Sequence, residues 1–360
     1  MRESMTRRGV DGLLITNLVN VRYLSGFQGS SGFIFIAKRR NIFVTDFRYA
    51  EEVETEFSDQ RSRGGPGGKG TDWEIVIERG NRLSVITKLA RDLGVRSLGF
   101  ESSASYDFYA SLLKSGFNRI KPLKGLVEGQ RAVKDEEEIT LIREAVRRAE
   151  SAFTDVKPFI RLGRSERAIA CMLEERLKKR GCNHIPFDII VASGSNGAMP
   201  HAKTTEKRLS PGDLVVIDWG GEADGYFSDI TRTVIMRGPD LAKKREIYGA
   251  VLTASRKAIA SVRTGVEGNE VDSVARECIR DAGYGRYFGH GTGHGVGLEV
   301  HELPRITWTR RDILSANAVF TIEPGIYLPG VGGVRIEDMV VARGKGAEVL
   351  TALPRRLEIL

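Results

Sequence analysis

Short apolar runs alternate with amphipathic stretches over the first 120 residues of the chain. Runs of about five apolar residues have the length of a β-strand, whereas longer stretches with apolar residues three or four positions apart have the period of a helix. The pattern predicts strands at residues 12–16, 32–37, 41–45, 74–78 and 97–101. It predicts helices at residues 47–56, 82–93 and 106–115. Strands that alternate with helices are typical of an α/β layered domain.

The rest of the chain orders its elements differently. A long helical pattern at 135–156 opens with four acids, which suit the positive end of a helix dipole. Further helices are predicted at 165–180, 243–262 and 270–281, and strands at 188–192, 214–219, 229–236, 319–326 and 334–341. Elements of one kind come in groups, which favours an α+β domain. We therefore predict an α/β domain over residues 1–128 and an α+β domain over residues 129–360.

The segment RSRGGPGGKG, residues 61–70, is too rich in glycine for regular structure. A phosphate-binding loop would need a Gly-Lys-Ser/Thr ending between a strand and a helix, and the segment has neither feature. We expect a mobile surface loop here.

Composition is that of an ordinary globular protein. Of 360 residues, 41% are hydrophobic and 28% charged, and no apolar run approaches the roughly 20 residues that span a bilayer. The net charge of +8 reflects 55 basic and 47 acidic residues that are mostly interleaved, so we expect no nucleic-acid partner. Three separated cysteines indicate reduced thiols, and the first apolar run is too short for a signal peptide. A cytoplasmic, membrane-free protein is expected.

The histidines give the sharpest chemical clue. His201, His290, His294 and His301 lie in motifs dense with glycine and acids, whereas a fifth histidine stands apart. The segment GHGTGHGVGLEVHE, residues 289–302, holds three of them, and its alternating glycines allow a metal or substrate to approach the backbone. Surface histidines in a glycine-rich loop are the alternative. The neighbouring acidic motifs favour a chemical site.

Two aspartates frame the segment DWGGEADGYFSD. Asp218 ends an apolar strand, and Asp229 opens the next strand eleven residues later, so a turn between them would bring the carboxylates together. Two ionised carboxylates at close range repel each other unless they share a proton or hold cations. Strand-end capping is the alternative for either aspartate taken alone.

Two glutamates lie beside or within apolar strands. Glu323 follows the apolar run 319–322, and Glu337 lies inside VRIEDMVV. A glutamate in such a place is costly unless it is paired. Arg335 shares a face with Glu337, so an ordinary ion pair is the alternative for Glu337, but it leaves Glu323 unexplained. Four carboxylates and one imidazole, with no cysteine, suit two divalent cations, and manganese(II) or cobalt(II) fits better than a thiolate-type zinc site.

These motifs resemble the pita-bread metallopeptidases, which comprise methionine aminopeptidase, aminopeptidase P and prolidase. The resemblance rests on the order Asp, Asp, His, Glu, Glu, on the gaps of eleven and fourteen residues within the acidic pairs, and on HGVGLEVHE. The stretches VRYLSGFQGSSGFIFI and VTDFRYAEEV resemble the creatinase-type N-terminal domain of aminopeptidase P and prolidase. The resemblance implies an α/β N-terminal creatinase-like domain followed by an α+β pita-bread catalytic domain.

The resemblance also implies a ligand set. Asp218 would chelate one ion, Asp229 and Glu337 would bridge both ions, and His294 and Glu323 would complete the second. Glu323 would in addition be the base that takes a proton from the attacking water. Manganese is the expected metal, with cobalt or zinc as alternatives.

Five further residues receive roles from the same resemblance. His201 and His301 would donate hydrogen bonds to the oxyanion, and His290 would line the proline side of the cleft. Arg335 would orient carboxylates from behind the ligands. Arg305 would hold a free substrate carboxylate, although a surface residue is an equal alternative.

The expected activity is that of a dinuclear Xaa-Pro peptidase of the aminopeptidase P kind, which cleaves between an N-terminal residue and proline. Its substrates would be peptides with proline in second position, and the protein is expected to form a homodimer. A strict prolidase, which cleaves only dipeptides, is the alternative enzyme. A non-catalytic pita-bread binding module is less favoured because all five ligand positions are kept.

Overall fold

The chain divides into two compact units, Met1–Gln130 and Arg131–Leu360. A computed structural model describes residues 1–63, 73–117 and 119–360. Within these ranges, no helix has the length and apolar character needed to cross a membrane.

The first unit is built on a six-stranded mixed sheet. Its strands are β1 (Gly12–Ile15), β2 (Gly32–Ala37), β3 (Asn41–Asp46), β4 (Trp73–Glu78), β5 (Ser97–Glu101) and β6 (Arg119–Leu123). They lie in the order β4-β3-β2-β1-β5-β6, and only the β1–β2 and β2–β3 pairs are antiparallel. The helices are α1 (Arg2–Arg8), α2 (Leu18–Ser25), α3 (Ala50–Arg63), α4 (Arg82–Asp92) and α5 (Tyr106–Lys114), and α6 (Glu128–Arg131) spans the boundary between the two units.

Both faces of this sheet are buried. Leu13 and Ile15 belong to one hydrophobic core, and Leu14, between them, belongs to a second core on the other face. Successive side chains of a strand point to opposite faces, so a strand that is covered on both sides must be apolar throughout. This explains the uninterrupted apolar runs, and the predicted α/β class is confirmed.

Some elements of the first unit were not predicted. Helices α1 and α2 have only seven and eight residues, too few for a clear helical period, and β6 is a partly exposed edge strand that contains Pro122. The predicted helix at 47–56 begins as a 3-10 turn at Phe47–Tyr49 and continues as α3 to Arg63. Residues 61–63 of the predicted glycine-rich loop are therefore helical, and the rest of that loop, from residue 64, lies outside the described residues.

The second unit contains four long helices and three groups of strands. The helices are α7 (Glu136–Val156), α8 (Glu166–Lys179), α9 (Ala242–Ser261) and α10 (Gly268–Asp281). One sheet has the order β19-β11-β8-β7, formed by β7 (Ile190–Ser193), β8 (Leu214–Trp219), β11 (Ile230–Ile235) and β19 (Glu358–Ile359). A small hairpin joins β8 to β11 and consists of β9 (Glu222–Ala223) and β10 (Tyr226–Phe227).

A second sheet has the order β13-β12-β14-β17-β18. Its strands are β12 (Gly293–Gly295), β13 (Glu302–Ile306), β14 (Val319–Ile322), β17 (Asp338–Arg343) and β18 (Gly346–Val349). A separate antiparallel pair is formed by β15 (Gly325–Leu328) and β16 (Gly332–Arg335). Helices α7 and α8 contribute to one hydrophobic core and α9 and α10 to another, and alternate residues of the strands enter the two cores. The predicted α+β class is confirmed.

Two predicted strands are wrong in the same way. The runs 319–326 and 334–341 are each divided into two strands that belong to different sheets, β14 and β15 in the first and β16 and β17 in the second. Glu323 and Glu337 occupy the two breaks. Their backbone N–H groups donate to Thr292 and Thr231 rather than to a neighbouring strand of a ladder, and Pro324 has no N–H to offer. Apolar patterning cannot show that a strand changes sheets within a run.

Candidate metal centre

The second unit contains a large cavity, of about 1080 Å³. It is lined by every residue for which the sequence predicts a role in the site. These residues are His201, Asp218, Asp229, His290, His294, His301, Arg305, Glu323, Arg335 and Glu337.

The antiparallel pair of β8 and β11 brings the two aspartates together. Asp218 lies opposite Thr231 in the register, and Asp229 directly precedes the first residue of β11. The intervening chain returns through a tight turn in which Asp224 and Gly225 both have positive φ angles, of 44° and 74°. Two successive positive φ angles match the twist of a two-residue hairpin. The predicted proximity of the aspartates therefore follows from a hairpin.

His294 occupies a strand between two glycines because its neighbours leave no room for side chains. A Cβ at Gly293 would lie 1.9 Å from the Thr321 carbonyl oxygen, and one at Gly295 would lie 2.1 Å from the Leu303 carbonyl oxygen. His294 Nδ1 lies 3.2 Å from the Gly295 carbonyl oxygen, to which it donates a hydrogen bond. Nε2 thereby faces the carboxylates, the side on which a metal-binding histidine presents this nitrogen.

The acidic groups surround this imidazole nitrogen. His294 Nε2 lies 3.3 Å from Glu323 Oε1 and 3.6 Å from Asp229 Oδ2. One ligand atom each from Asp229, His294 and Glu337 lies within 4.8 Å of the others. Glu337 is 1% exposed, and its Oε2 accepts a hydrogen bond of 2.7 Å from the Thr231 hydroxyl. Because the strands break at Glu323 and Glu337, both glutamate side chains lie near the end of the hairpin that carries Asp218 and Asp229.

The electrostatics of this cluster call for positive charge. Burial, followed by repulsion from the Asp218 carboxylate, raises the pKa of Asp229 well above its usual range. Burial, followed by the charges of Asp229 and Glu323, does the same to the pKa of Glu337, and burial raises that of Asp218. Burial would also raise the pKa of Glu323, but the hydrogen bond with His294 lowers it to about 2. Such a set is stable in its ionised form only beside cations.

A further observation fits divalent metals. Asp218 Oδ1 is buried and accepts no hydrogen bond from the described residues, although nearly all buried carboxylate oxygens have a partner. The donors are oxygens and one imidazole nitrogen, which suit manganese, cobalt or zinc. These side chains therefore fit a site for divalent metal ions.

Arg335 is held behind Asp218. Its Nη2 forms an ion pair with Asp218 Oδ2, and its Nε donates to the Thr231 hydroxyl at 3.1 Å. Its Nη1 donates to the Pro200 carbonyl oxygen at 3.1 Å and to the Tyr327 hydroxyl at 2.9 Å. The alternative in which Arg335 pairs with Glu337 is therefore wrong. The shared strand face was a poor guide because the chain changes sheets between the two residues.

The remaining histidines line the cavity around the acids. The ring of His301 lies 4.2 Å from that of His294, centroid to centroid. Burial, with the nearby His294 and Arg305 charges, lowers the pKa of His301 to about 4, so its imidazole is neutral at pH 7. Burial also lowers the pKa of His290. Arg305 is half-buried, and its Nη2 lies 3.4 Å from the His301 carbonyl oxygen.

Comparisons with known proteins agree with this architecture. Residues 140–343 match metallopeptidase family M24, and residues 1–133 match the Creatinase/Prolidase N-terminal domain. The chain belongs to metallopeptidase family M24. The predicted resemblance, the order of a creatinase-type domain and a pita-bread domain, and the assignment as a metallopeptidase are thereby confirmed.

Several relatives of this M24 protein match over its full length. The Xaa-Pro dipeptidase of Pyrococcus horikoshii is 38% identical over 356 residues, which are 99% of this chain and 96% of that protein. A solved structure of the Xaa-Pro dipeptidase from Bacillus anthracis superimposes with a TM-score of 0.93 at 39% identity and covers 100% of this chain and 98% of that one. The X-Pro aminopeptidase from Thermotoga maritima gives a TM-score of 0.87 at 37% identity, with coverages of 99% and 100%.

Sequence reasoning missed the buried groups that hold the cavity loops of this M24 unit. Glu166 is fully buried and accepts hydrogen bonds from the backbone of Ser193 and Thr205, at the two ends of the segment that carries His201. Tyr327, whose hydroxyl accepts a hydrogen bond from Arg335, was not predicted from the sequence either. Glu166 follows a serine N-cap, where an acid is ordinary, and Tyr327 lies in an apolar strand. The local sequence therefore gave no signal that either residue has a role at the cavity.

A third such group follows His301 directly. Glu302 lies between two buried cations, with Oε2 at 2.5 Å from Arg131 Nη2 and Oε1 at 2.5 Å from Lys134 Nζ. The acid next to the histidine was visible in the sequence. Its partners, about 170 residues away, were not.

Proposed function

We propose that this M24 protein is a dinuclear Xaa-Pro peptidase that cleaves the peptide bond between an N-terminal residue and proline. The observation that carries the proposal is the convergence of four carboxylates and one imidazole whose charges are stable only beside cations. The names of full-length relatives, Xaa-Pro dipeptidase and X-Pro aminopeptidase, supply the substrate class. The ligands we propose are Asp218, Asp229, His294, Glu323 and Glu337.

Two divalent ions at this site would polarise the scissile carbonyl and lower the pKa of a water molecule. The protein side chains would transfer the proton and stabilise the negative charge that develops on the substrate. Glu323 Oε1 lies 3.3 Å from both His294 Nε2 and Thr321 Oγ1, which leaves Oε2 for proton transfer. Glu323 would take the proton of the attacking water and return it to the proline nitrogen as that nitrogen leaves.

Three histidines would contact the substrate. The neutral imidazole of His301 and the imidazole of His201 would donate hydrogen bonds to the oxyanion, because both lie beside the acids in the cavity wall. His290 would line the proline side. Arg335 would orient Asp218 through their ion pair, without contact to substrate.

A strict prolidase remains the second candidate. Arg305 lines the cavity and stays half-buried, so its guanidinium is available to a carboxylate at the proline end of a dipeptide. A manganese-supplemented assay on matched Xaa-Pro and Xaa-Pro-Yaa peptides separates the two activities. Cleavage of both peptides supports the aminopeptidase, and cleavage of the dipeptide alone supports the prolidase. No cleavage of either peptide by protein with two bound ions would refute the proposed function.

Several finer assignments belong to the same proposal. We propose manganese as the metal, because the ligands are oxygen-rich and include no thiolate, with cobalt or zinc as alternatives. We propose a domain boundary after residue 128, within helix α6, and the two compact units support a boundary in this region. A homodimeric, cytoplasmic protein is proposed from the family resemblance and the separated cysteines. Metal analysis and solution mass of the purified protein test the metal and the dimer.

A further inference from the structure

Two residues one turn apart on α10 form a rigid charged pair. Arg276 Nε donates to Asp272 Oδ2 at 3.0 Å, and Arg276 Nη2 donates to Asp272 Oδ1 at 3.0 Å. The Asp272 side chain is 0% exposed and that of Arg276 is 26% exposed. A bidentate pair of this kind fixes the plane of the guanidinium as well as its position.

The pair binds the backbone of residues 288–292, which carries His290 into the cavity. Arg276 Nη1 donates to the Phe288 carbonyl oxygen at 2.9 Å, and Arg276 Nη2 donates to the His290 carbonyl oxygen at 2.8 Å. Asp272 Oδ1 accepts from the Thr292 backbone N–H at 3.0 Å and from its hydroxyl at 2.8 Å. The segment is neither helix nor strand, so these four hydrogen bonds determine its path.

Two aromatic rings lie against the guanidinium. Arg276 Cζ lies 4.4 Å from the centre of the Phe288 ring and 4.2 Å from that of Trp308. The Phe288 ring in turn packs edge-on against His290, with centroids 5.1 Å apart. A lysine could keep the charge beside Asp272, but it could not reproduce the planar fork or the stacking.

The backbone so held determines the state of the His290 ring. His290 Nδ1 lies 2.8 Å from the Gly291 carbonyl oxygen, an acceptor only, so Nδ1 carries a proton. His290 Nε2 lies 2.8 Å from the Tyr327 hydroxyl. Burial lowers the pKa of His290, so the ring is neutral at pH 7 and Nε2 accepts the hydrogen bond from that hydroxyl. The imidazole is thus fixed as the neutral Nδ1–H tautomer.

The same segment also holds the backbone of Glu323. The Thr292 carbonyl oxygen accepts the Glu323 backbone N–H at 2.7 Å, and the other two polar groups of Thr292 are bound by Asp272. A displacement of Thr292 would therefore move the main chain of the proposed proton carrier.

We propose that the Asp272–Arg276 pair is a positioning device for the active site, which sets the His290 imidazole and the Glu323 main chain without touching substrate or metal. The inference rests on the proposed function in so far as His290 and Glu323 take part in peptide cleavage. A small misplacement of such groups costs up to about 100-fold in rate.

The test uses Arg276→Lys, which keeps a cation beside the buried Asp272. With an Xaa-Pro peptide and the metal-loaded protein, we expect kcat to fall about 10- to 100-fold while metal content stays at the wild-type level. The matched control is Arg280→Lys on the same helix, where the arginine side chain is 66% exposed, and it should keep wild-type kcat. Thr292→Val, which removes only the hydroxyl donor to Asp272, should lower kcat in the same direction.

A double variant separates positioning from general destabilisation. If Arg276 acts through His290, Arg276→Lys should cost at least threefold less in a His290→Ala background than in the wild type. An equal loss in both backgrounds would overturn the His290 part of the proposal, and an unchanged kcat in Arg276→Lys would overturn the whole proposal.

A spectroscopic readout does not depend on activity. In zinc-loaded, ¹³C-histidine-labelled protein, His290→Ala assigns one of the five histidine signals, whose carbon shifts report the tautomer. We expect the Nδ1–H form in the wild type and a mixture in Arg276→Lys. A change of tautomer in a protein that cleaves no Xaa-Pro peptide would reject the function and keep the positioning role. An unchanged tautomer in an active enzyme would reject the positioning role alone.

Discussion

Replacement of Lys134 by methionine tests how the His301 segment is held. The Lys134 side chain is 1% exposed, and its ammonium lies 2.5 Å from Glu302 Oε1, which is itself 3% exposed. Methionine keeps most of the apolar stem and removes the charge. Of the two cations beside the buried Glu302, Lys134 and Arg131, only Arg131 would then remain.

The expected magnitude follows from that geometry. Removal of one partner from a buried ion pair typically costs about 3–5 kcal/mol, because the other charge stays buried without compensation. Arg131, which also pairs with Glu299, still compensates part of the Glu302 charge, so we expect the lower end, about 3 kcal/mol. For a unit of this size each kcal/mol lowers Tm by about 2–4 °C, which gives a decrease of about 6–12 °C.

The assay is calorimetry of the metal-loaded protein beside Lys178→Met. That control removes an exposed i,i+4 pair with Glu174, and we expect a loss below about 0.5 kcal/mol. The double variant Lys134→Met with Glu302→Gln should recover part of the Tm, because the uncompensated charge is gone. A decrease in Tm no larger than that of the control, or a double variant less stable than the single one, would refute this reasoning.

Three further predictions concern the metal centre. His301→Ala should lower kcat on an Xaa-Pro peptide about 100- to 1,000-fold with full metal content, since one oxyanion donor is lost; metal depletion measured in that variant would count against the role. Asp229→Asn should lose metal by elemental analysis, because a neutral amide cannot replace an anionic bridge; two retained ions would contradict the ligand assignment. In chelator-treated protein, burial and repulsion hold the pKa values of Asp229 and Glu337 above their unfolded values, so the Tm of the wild type relative to that of Glu337→Gln should fall as pH rises above about 4, and bound metal should remove this trend; a Tm difference that grows with pH in favour of the wild type would be inconsistent with it.

The proposed metal ligands could be found from the sequence because each residue was out of place in its local pattern. Asp218 ends an apolar strand, and His294 stands between glycines in a run with two other histidines. Such positions are costly unless a function compensates them, so local patterning alone reveals them. The hairpin that joins Asp218 to Asp229 is also local, with a ten-residue connection, and its geometry followed from the same stretch.

The sequence by itself determined the two fold classes, most of the long elements and the residue types of the site, because these depend on periods of two and 3.6 residues and on the cost of a buried charge. Only the tertiary structure decided where the strands at Glu323 and Glu337 break, that Arg335 pairs with Asp218, and that Glu302 lies between Arg131 and Lys134. These features arise from contacts between segments that are up to about 170 residues apart. The choice of partner at that range depends on packing, which no local pattern of apolar and polar residues encodes.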